Sequence, residues 1–133
     1  MNLKDWLLNF LKSRSSFFGS DSSVEEKEDF IILKKESGVE FFFVKGLLDD
    51  SVRDRIAGCK DKLTVVVLNK KANVDWLVNN WDFLIRFPRL CFMFVNPDVS
   101  EKWAIFPKTH DLISERNSLR KGLLSLFESV PPA

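Results

Sequence analysis

The only histidine of the chain stands beside a carboxylate, in the segment Lys108-Thr109-His110-Asp111. An imidazole next to an acid is a pair that general acid–base catalysis uses near neutral pH. A catalytic set also needs a nucleophile or a metal, and the nearby Ser114 lacks the strand–turn–helix context of a nucleophile elbow. His110 and Asp111 are therefore a weak acid–base candidate. We expect the imidazole to have a structural role, bonded to a backbone carbonyl.

Polar side chains follow three apolar segments of the chain, at the point where each segment ends. Lys45 closes the first segment, Asn69 and Lys70 follow the second, and Asn96 and Asp98 follow the third. The carboxyl ends of parallel strands meet at one edge of a sheet, where open α/β sheets bind their ligands. These five residues are our candidates for a small polar crevice that binds an anion. The simpler interpretation is that they form turns and helix caps, and the sequence contains no glycine-rich phosphate motif.

The two cysteines give no sign of a metal site. Cys59 and Cys91 have no Cys or His partner at zinc-binding spacing, and there is no CxxC motif. We expect reduced thiols that pack as small apolar side chains, in a reducing, cytoplasmic compartment.

The sequence also does not match the metal-binding motif of PD-(D/E)xK nucleases. Glu40 is the only acid of its predicted strand, and no lysine stands two residues after it. We therefore predict no metal and no cofactor.

Composition predicts one soluble, intracellular domain. The chain has 133 residues, of which 45% are apolar, and its 20 basic and 19 acidic residues leave a net charge of +1. Such a balance argues against nucleic-acid binding, which usually needs a clustered basic excess. No stretch approaches 18 uninterrupted apolar residues, so we do not expect a membrane-spanning helix.

The start of the chain differs from the rest. Apolar residues recur there at helical spacing, which predicts an amphipathic helix over residues 1–12 with Asn2 as its N-cap. Residues 13–29 are rich in serine and then in acids, which indicates a linker. Residues 30–133 are the predicted α/β domain.

Apolar runs alternate with helical patterns through that domain. The runs predict strands over 30–35, 39–45, 63–68, 90–95 and 102–106, and the patterns predict helices over 74–87 and 118–129 and a short helix capped by Ser51 that ends just before Gly58. Right-handed helical crossovers make successive strands parallel neighbours. We therefore predict an α/β fold: a single three-layer domain with a mixed, mostly parallel sheet of about five strands, in the order α-β-β-α-β-α-β-β-α, and helices on both faces.

From the second strand onward, the predicted order βαβαββα resembles the element order of the thioredoxin fold. The resemblance is one of topology alone. The redox CxxC of thioredoxins is absent, so no thioredoxin-like chemistry follows from it. A flavodoxin-like parallel sheet explains the same order equally well.

Aromatic residues exceed what a single core needs, with 13 Phe, 4 Trp and no Tyr. A second apolar face on helix 74–87, and the apolar stripe of the N-terminal helix, carry the surplus. The N-terminal helix could cover its own domain, pack on a second copy or another protein, or lie on a membrane, and its few cations make the membrane the weakest option. The partner-binding candidates are Leu3, Trp6, Phe10, Trp76, Phe83 and Phe87.

Two functions of different class remain. The first is a non-catalytic protein-interaction or assembly module that uses the N-terminal helix and the aromatic face of helix 74–87 to bind a protein partner or a second copy. The alternative is a small enzyme or ligand-binding protein that uses the polar crevice at the strand ends, and it rests on fold analogy alone. We favour the first, because the apolar surplus is present and no complete catalytic set is.

Overall fold

The computed structural model describes the backbone of residues 1–18 and 23–133 and the side chains of residues 1–14 and 23–133. The helices of the described chain are α1 (Leu3–Phe18), α2 (Ser51–Gly58), α3 (Lys71–Asn79), α4 (Trp81–Leu84), α5 (Pro107–Ile113) and α6 (Leu119–Glu128), and a 3₁₀ turn spans Arg116–Ser118. The strands are β1 (Ser23–Glu26), β2 (Phe30–Lys35), β3 (Gly38–Val44), β4 (Lys62–Leu68), β5 (Leu90–Asn96) and β6 (Glu101–Ile105).

The six strands form one sheet whose spatial order follows chain order, β1-β2-β3-β4-β5-β6. β3, β4 and β5 are parallel neighbours, whereas β1–β2, β2–β3 and β5–β6 are antiparallel pairs. The α/β class and the mixed sheet are confirmed. The expectation of about five strands, mostly parallel, is wrong, because the described sheet has six strands and three of its five pairs are antiparallel.

The strand missing from the predicted order is β1, which lies inside the segment predicted as a linker. Its register pairs Val24 with Leu33 and Glu25 with Ile32 at the edge of the sheet. A four-residue edge strand with two glutamates carries little apolar signal, because natural edge strands are kept short and charged. Residues 19–22 of the predicted linker lie outside the described residues, and the division into helix, linker and domain stays a prediction.

The sheet has no topological switch point. Flavodoxin-like sheets reverse their strand order part-way, which sends helices to both faces and opens a crevice. Here β3, β4 and β5 follow one another without reversal, so both right-handed crossovers place their helices on the same face. Val52 and Ile56 of α2 accordingly share one buried cluster with Val74 and Leu77 of α3. The flavodoxin-like order is therefore wrong, and the resemblance to thioredoxin is limited to the order of elements along the chain.

Two apolar cores lie on the two faces of the sheet. Alternate residues of β4 point to opposite faces, so that Val65 and Val67 join the core under α2, α3 and α6, while Val66 joins the core under α1. Strands that are buried on both faces have continuous apolar sequences. For this reason the sequence alone predicts β4 and β5 as strands. Helices on both faces of the sheet are confirmed.

Helix α1 begins where the sequence predicts and extends to Phe18. Its cap is the expected one, because Asn2 Oδ1 accepts a hydrogen bond from the backbone N–H of Asp5 at 2.8 Å. Among the described residues, no helix is both long and apolar enough to cross a bilayer.

The predicted helix 74–87 is two helices, α3 and α4, separated at Asn80. The Asn80 side chain donates to the Trp76 carbonyl at 2.8 Å, and its backbone leaves helical geometry with φ −113° and ψ 13°. Asparagine side chains compete in this way for backbone hydrogen bonds.

The apolar pattern of the sequence does not predict helix α5. This helix begins at Pro107, a residue suited to the first helical position.

Candidate functional site

The carboxyl ends of the parallel strands are occupied by the chain's own last residues. Asn69 is fully buried, and its side-chain N–H₂ lies within hydrogen-bond distance of the carbonyls of Phe127, Val130 and Pro131, at 3.0–3.3 Å. Its Oδ1 accepts a hydrogen bond from the indole N–H of Trp103 at 2.8 Å. The Asn69 amide therefore has both its donor and its acceptor side engaged within the protein.

The remaining crevice candidates make similar internal contacts. Asn96 donates to the carbonyls of Pro131 and Pro132, at 3.1 and 3.3 Å, and Lys70 Nζ lies 2.9 Å from the main-chain oxygen of Ala133. The structure thus brings Asn69, Lys70 and Asn96 together, as the spacing predicts, around a segment of the same chain. Pro131–Ala133 lies where an anion was expected.

Lys45 and Asp98 stand apart from that cluster. Lys45 Nζ forms an ion pair with Asp49 at 3.0 Å, and Asp98, which is exposed, lies 3.7 Å from the amino group of Met1. The pKa of Asp49 is lowered by its hydrogen bonds from Ser51 and from Lys45. Neither residue points to a shared binding site with Asn69.

A further asparagine, Asn73, holds the loop that follows β3. Its side chain is buried, accepts a hydrogen bond from the Leu48 backbone N–H at 2.8 Å, and donates to the carbonyls of Gly46 and Leu68. Buried asparagines that satisfy backbone groups are structural clasps. In the sequence, these asparagines are visible only as polar residues beside apolar segments. That pattern does not show whether an asparagine bonds the protein's own backbone or binds a ligand.

His110 lies on α5 and packs against Trp81. The two rings meet edge to face with centroids 5.9 Å apart, and no hydrogen bond to the imidazole nitrogens is found within the described part of the chain. The expectation of a ring bonded to a backbone carbonyl is therefore wrong. Asp111 accepts a hydrogen bond from the Trp81 indole N–H at 3.0 Å, and this bond, with the charge of Arg116, lowers the pKa of Asp111. Asp111 is a structural acceptor in this arrangement.

The apolar residues of α1 belong to the protein's own core. Leu3 and Trp6 are buried under the sheet, and Trp6 donates from its indole N–H to Ser100 Oγ at 3.0 Å. Phe10 is half-buried, stacks on Trp6 with centroids 5.1 Å apart, and has Lys102 over its ring at 5.3 Å. The surface that the sequence offered to a partner is thus largely covered by the domain itself.

The second predicted surface, on α3 and α4, is half covered. Trp76, Phe83 and Phe87 are each partly buried against the core. Phe83 contacts Phe87 with centroids 5.1 Å apart and carries the Arg53 guanidinium over its ring at 4.4 Å. The Trp76 indole N–H is buried and has no hydrogen-bond acceptor among the described residues.

A groove of about 450 Å³ lies on the α2 face of the sheet, between the end of α2 and the hairpin of β2 and β3. Phe30 and Phe43 are register partners across that hairpin, and Phe41 stands beside them on the same face. Phe30 and Phe41 are only half-buried. We call this site the phenylalanine groove; its apolar lining is Phe30, Phe41, Phe43, Cys59 and Leu63, and its polar lining includes Asp54, Arg55, Lys60 and Asp61.

The rim of the groove carries cations of two kinds. Arg55 is paired with Asp29 at 2.6 Å and lies over the rings of Phe30 and Phe43, at 5.0 and 5.2 Å. Lys60 is exposed and has no carboxylate within salt-bridge distance in the described chain. Arg55 thus shapes the groove wall, whereas Lys60 is an unpaired cation. Asp54 and Asp61 of the same lining also have no oppositely charged side chain within salt-bridge distance among the described residues.

Two smaller cavities adjoin the phenylalanine groove. One of about 240 Å³ shares Cys59, Lys60, Asp61 and Leu63 with it, and one of about 420 Å³ shares Asp61. Arg89 lines both and, like Lys60, has no carboxylate partner within the described residues. The adjoining cavities also include Phe87 and Phe106 in their linings. The open surface therefore runs along the amino ends of β4 and β5, opposite the predicted crevice.

Glu40 sets the polarity of one adjoining cavity. Burial acts to raise its pKa, but the hydrogen bond from Lys35 at 2.9 Å and the charge of Lys62 outweigh burial and hold the pKa below its usual range. Glu40 is thus a paired carboxylate at neutral pH. Within the described residues no group of three His, Cys, Asp or Glu side chains is arranged to hold a metal ion.

The two thiols differ in their surroundings. Burial raises the pKa of Cys91 to about 11, so its thiolate is scarce at neutral pH. Cys59 is partly exposed and lines the phenylalanine groove. Both cysteines are free thiols in the structure.

Sequence periodicity marks β2 and β3 as strands but does not reveal the groove between them and α2. The three phenylalanines at positions 41–43 alternate between faces, so that Phe42 is buried under α1 while Phe41 faces the groove. Which of these rings is covered depends on where α1 and α2 lie on the two faces of the sheet, which is not a local property of the sequence. Comparison of the chain with protein-family models, curated proteins and solved structures found no match.

Proposed function

We propose that this chain is a non-catalytic protein-interaction module whose docking surface is the phenylalanine groove. Its occupant is a short segment of a partner protein that carries adjacent apolar side chains and at least one carboxylate. The single observation that supports this function most strongly is an open apolar groove whose lining includes the half-buried rings of Phe30 and Phe41 beside the unpaired cation Lys60.

The apolar lining of the phenylalanine groove supplies most of the affinity for the partner segment. Half-buried aromatic side chains gain free energy when a partner removes the rest of their surface from water. The groove's volume of about 450 Å³ is suited to a few side chains. Because its aromatic residues are held on a β-hairpin within a large sheet, little conformational entropy is lost on binding.

The rim supplies the charge preference. Lys60 lines the groove and Arg89 lines the adjoining cavities, and neither has a carboxylate partner among the described residues. Asp54 and Asp61 of the groove lining likewise have no cationic partner there. A carboxylate of the partner that contacts Lys60 or Arg89 and lies away from Asp54 and Asp61 would be attracted to this surface. Neutral apolar segments would bind the floor without this gain.

The alternative proposal, a small enzyme or ligand-binding protein that uses the strand-end crevice, has weaker support. The side-chain amides of Asn69 and Asn96 already donate to carbonyls of residues 127–132. A ligand there would have to displace that segment and replace its hydrogen bonds.

Panning a phage-displayed library of random dodecapeptides on the immobilised full chain tests the groove. We expect selected peptides to combine neighbouring apolar residues with Asp or Glu. Their affinity should fall about tenfold in the double variant Lys60→Glu/Arg89→Glu, because two attractive contacts become repulsive. Fluorescence anisotropy of labelled synthetic peptides measures the affinity.

The matched control is Lys108→Glu/Lys121→Glu, which makes the same charge change at two exposed lysines outside the groove lining. Phe41→Ser, with its fold checked by circular dichroism, removes floor surface and should weaken binding independently of charge. Equal binding by the wild type, both charge variants and Phe41→Ser would exclude the groove as the docking surface.

A further inference from the structure

We propose that the carboxyl ends of β4 and β5 form a recognition site for extended peptide segments with two adjacent prolines, and that residues 131–133 occupy this site in the structure. The site lies at the edge of the sheet opposite the phenylalanine groove and shares none of its lining residues. The inference therefore goes beyond the proposed function and does not depend on it. It predicts that a Pro-Pro segment of a partner protein competes with residues 131–133.

Two buried asparagine amides bind the carbonyls of this segment. Asn69 Nδ2 donates to the carbonyls of Val130 and Pro131, at 3.0 and 3.3 Å. Asn96 Nδ2 donates to the carbonyls of Pro131 and Pro132, at 3.1 and 3.3 Å. Because proline has no backbone N–H, its carbonyl is the one backbone group through which a Pro-Pro segment forms hydrogen bonds. Donors that converge on successive carbonyls therefore suit such a segment.

The body of the domain orients both amides. Asn69 Oδ1 accepts a hydrogen bond from the indole N–H of Trp103 at 2.8 Å, and the Trp103 ring stacks on Phe94 with centroids 4.1 Å apart. Asn96 Oδ1 accepts a hydrogen bond from the backbone N–H of Asp98 at 3.1 Å. An amide whose oxygen is held by a fixed donor directs its nitrogen to the other side. Both donors therefore stay directed at this edge when the segment leaves.

Two further contacts fix the register of the segment. The backbone N–H of Ala133 donates to the Asn69 carbonyl at 2.9 Å, and Lys70 Nζ lies 2.9 Å from the main-chain oxygen of Ala133. The site thus provides donors for two successive carbonyls and an acceptor for the N–H of the third residue. That pattern matches a Pro-Pro-x sequence, in which x is any residue that has a backbone N–H.

Residues 131–133 place no side chain in either core. Pro131, Pro132 and Ala133 are exposed, whereas Val130 before them is buried in the core under α2, α3 and α6. Release of the three residues therefore breaks mainly hydrogen bonds, which an incoming Pro-Pro segment replaces. Proline fixes φ and disfavours helical geometry in the residue before it, so both segments favour the same extended conformation. An incoming segment can thus exchange with residues 131–133 while Val130 stays in place.

NMR titration of the isotopically labelled full chain with the capped peptide acetyl-Pro-Pro-Ala-amide tests the exchange. The signal is the backbone amide of Ala133, which loses its hydrogen bond to Asn69 when the peptide displaces it. The variant Pro131→Gly/Pro132→Gly weakens the internal segment and leaves the side chains of the site unchanged. We expect this variant to bind the peptide about tenfold more tightly than the wild type, because a larger fraction of its sites is open.

Three controls identify the site. The all-D enantiomer of the peptide has the same composition but the opposite handedness, and it should not shift the signal. Pro88→Gly, at an exposed proline of the opposite sheet edge, should bind the peptide as the wild type does. Asn96→Asp, added to Pro131→Gly/Pro132→Gly, replaces the donor by an acceptor and should abolish binding, with the fold checked by circular dichroism.

Hydrogen exchange of the wild type tests independently whether the segment leaves the folded protein. The protection factor of the Ala133 amide should be at least about a hundredfold lower than that of the most protected amides of β4, because release leaves both cores intact. Equal protection of Ala133 and β4 would mean that the segment leaves only on global unfolding, and would overturn the inference.

Two titration results would also overturn it. They are no binding of the L-peptide by Pro131→Gly/Pro132→Gly, and equal affinities for that variant and the wild type. None of these results bears on the proposed function, since the phenylalanine groove and this site share no residue.

Discussion

At the scale of single residues, asparagines give this protein its internal clasps. Asn69, Asn73 and Asn96 are buried, and each satisfies backbone groups of a segment distant in sequence. A buried amide is tolerated only when its hydrogen bonds are made, so each clasp fixes the segment that it binds. The residue types in the sequence indicated polar chemistry at these positions, and the partners turned out to be the protein's own carbonyls.

Asn69→Ala should lower the free energy of unfolding by about 3 kcal/mol, because it leaves the Trp103 indole N–H and buried carbonyls without partners. Asn79→Ala, at an exposed position of α3, is the matched control and should change stability by less than about 0.5 kcal/mol. Urea denaturation followed by fluorescence measures both. Similar small effects for the two variants would show that Asn69 is not a structural clasp.

At the scale of elements, α1 is an integral layer of the fold. Its stripe of Leu3, Trp6, Leu7 and Leu11 covers the face of the sheet opposite α2. The amphipathic pattern revealed the helix and its apolar face, since helical periodicity is local. It did not reveal what covers that face, because a helix stripe fits the home sheet, a second copy or a partner equally well.

Leu7→Ala tests the attachment of α1 to the sheet. Leu7 is fully buried, so its truncation should cost about 3 kcal/mol through lost burial and an unfilled cavity. Leu8→Ala removes the same atoms at a half-buried neighbouring position and should cost about 1 kcal/mol or less. Thermal or urea unfolding of both variants makes the comparison; a cost for Leu7→Ala no greater than that for Leu8→Ala would mean that α1 packs weakly.

At the scale of the whole molecule, one sheet serves two cores. β4 and β5 contribute alternate side chains to the core under α1 and to the core under α2, α3 and α6. A perturbation of either core therefore reaches the same strands. This arrangement predicts that the protein opens as one cooperative unit, although α1 was predicted from the sequence as a separate segment.

Hydrogen exchange measured by mass spectrometry tests this cooperativity. The most protected amides of α1 and of β4 should open with free energies within about 1 kcal/mol of each other. Leu7→Ala should lower protection in both elements, whereas Asn9→Ala, at an exposed position of α1, should change neither. Opening of α1 at a free energy several kcal/mol below that of β4 would support the predicted helix-and-linker organisation instead.

The sequence by itself determined the secondary structure of most segments and the class of fold. Continuous apolar runs mark β4 and β5, and helical spacing marks α1, because both signals depend on neighbours within a few residues. Short or polar elements such as β1 and α5 were missed, since they carry little apolar pattern. The break at Asn80 was missed because one side-chain hydrogen bond decides it.

The tertiary structure alone decided which surfaces are open. Residues 131–133 fill the edge that the strand ends predicted as a crevice, and α1 covers the face that it was expected to offer to a partner. The phenylalanine groove is left open at the opposite edge, between the end of α2 and the β2–β3 hairpin. Such outcomes depend on contacts between residues far apart in the chain, which no local periodicity records.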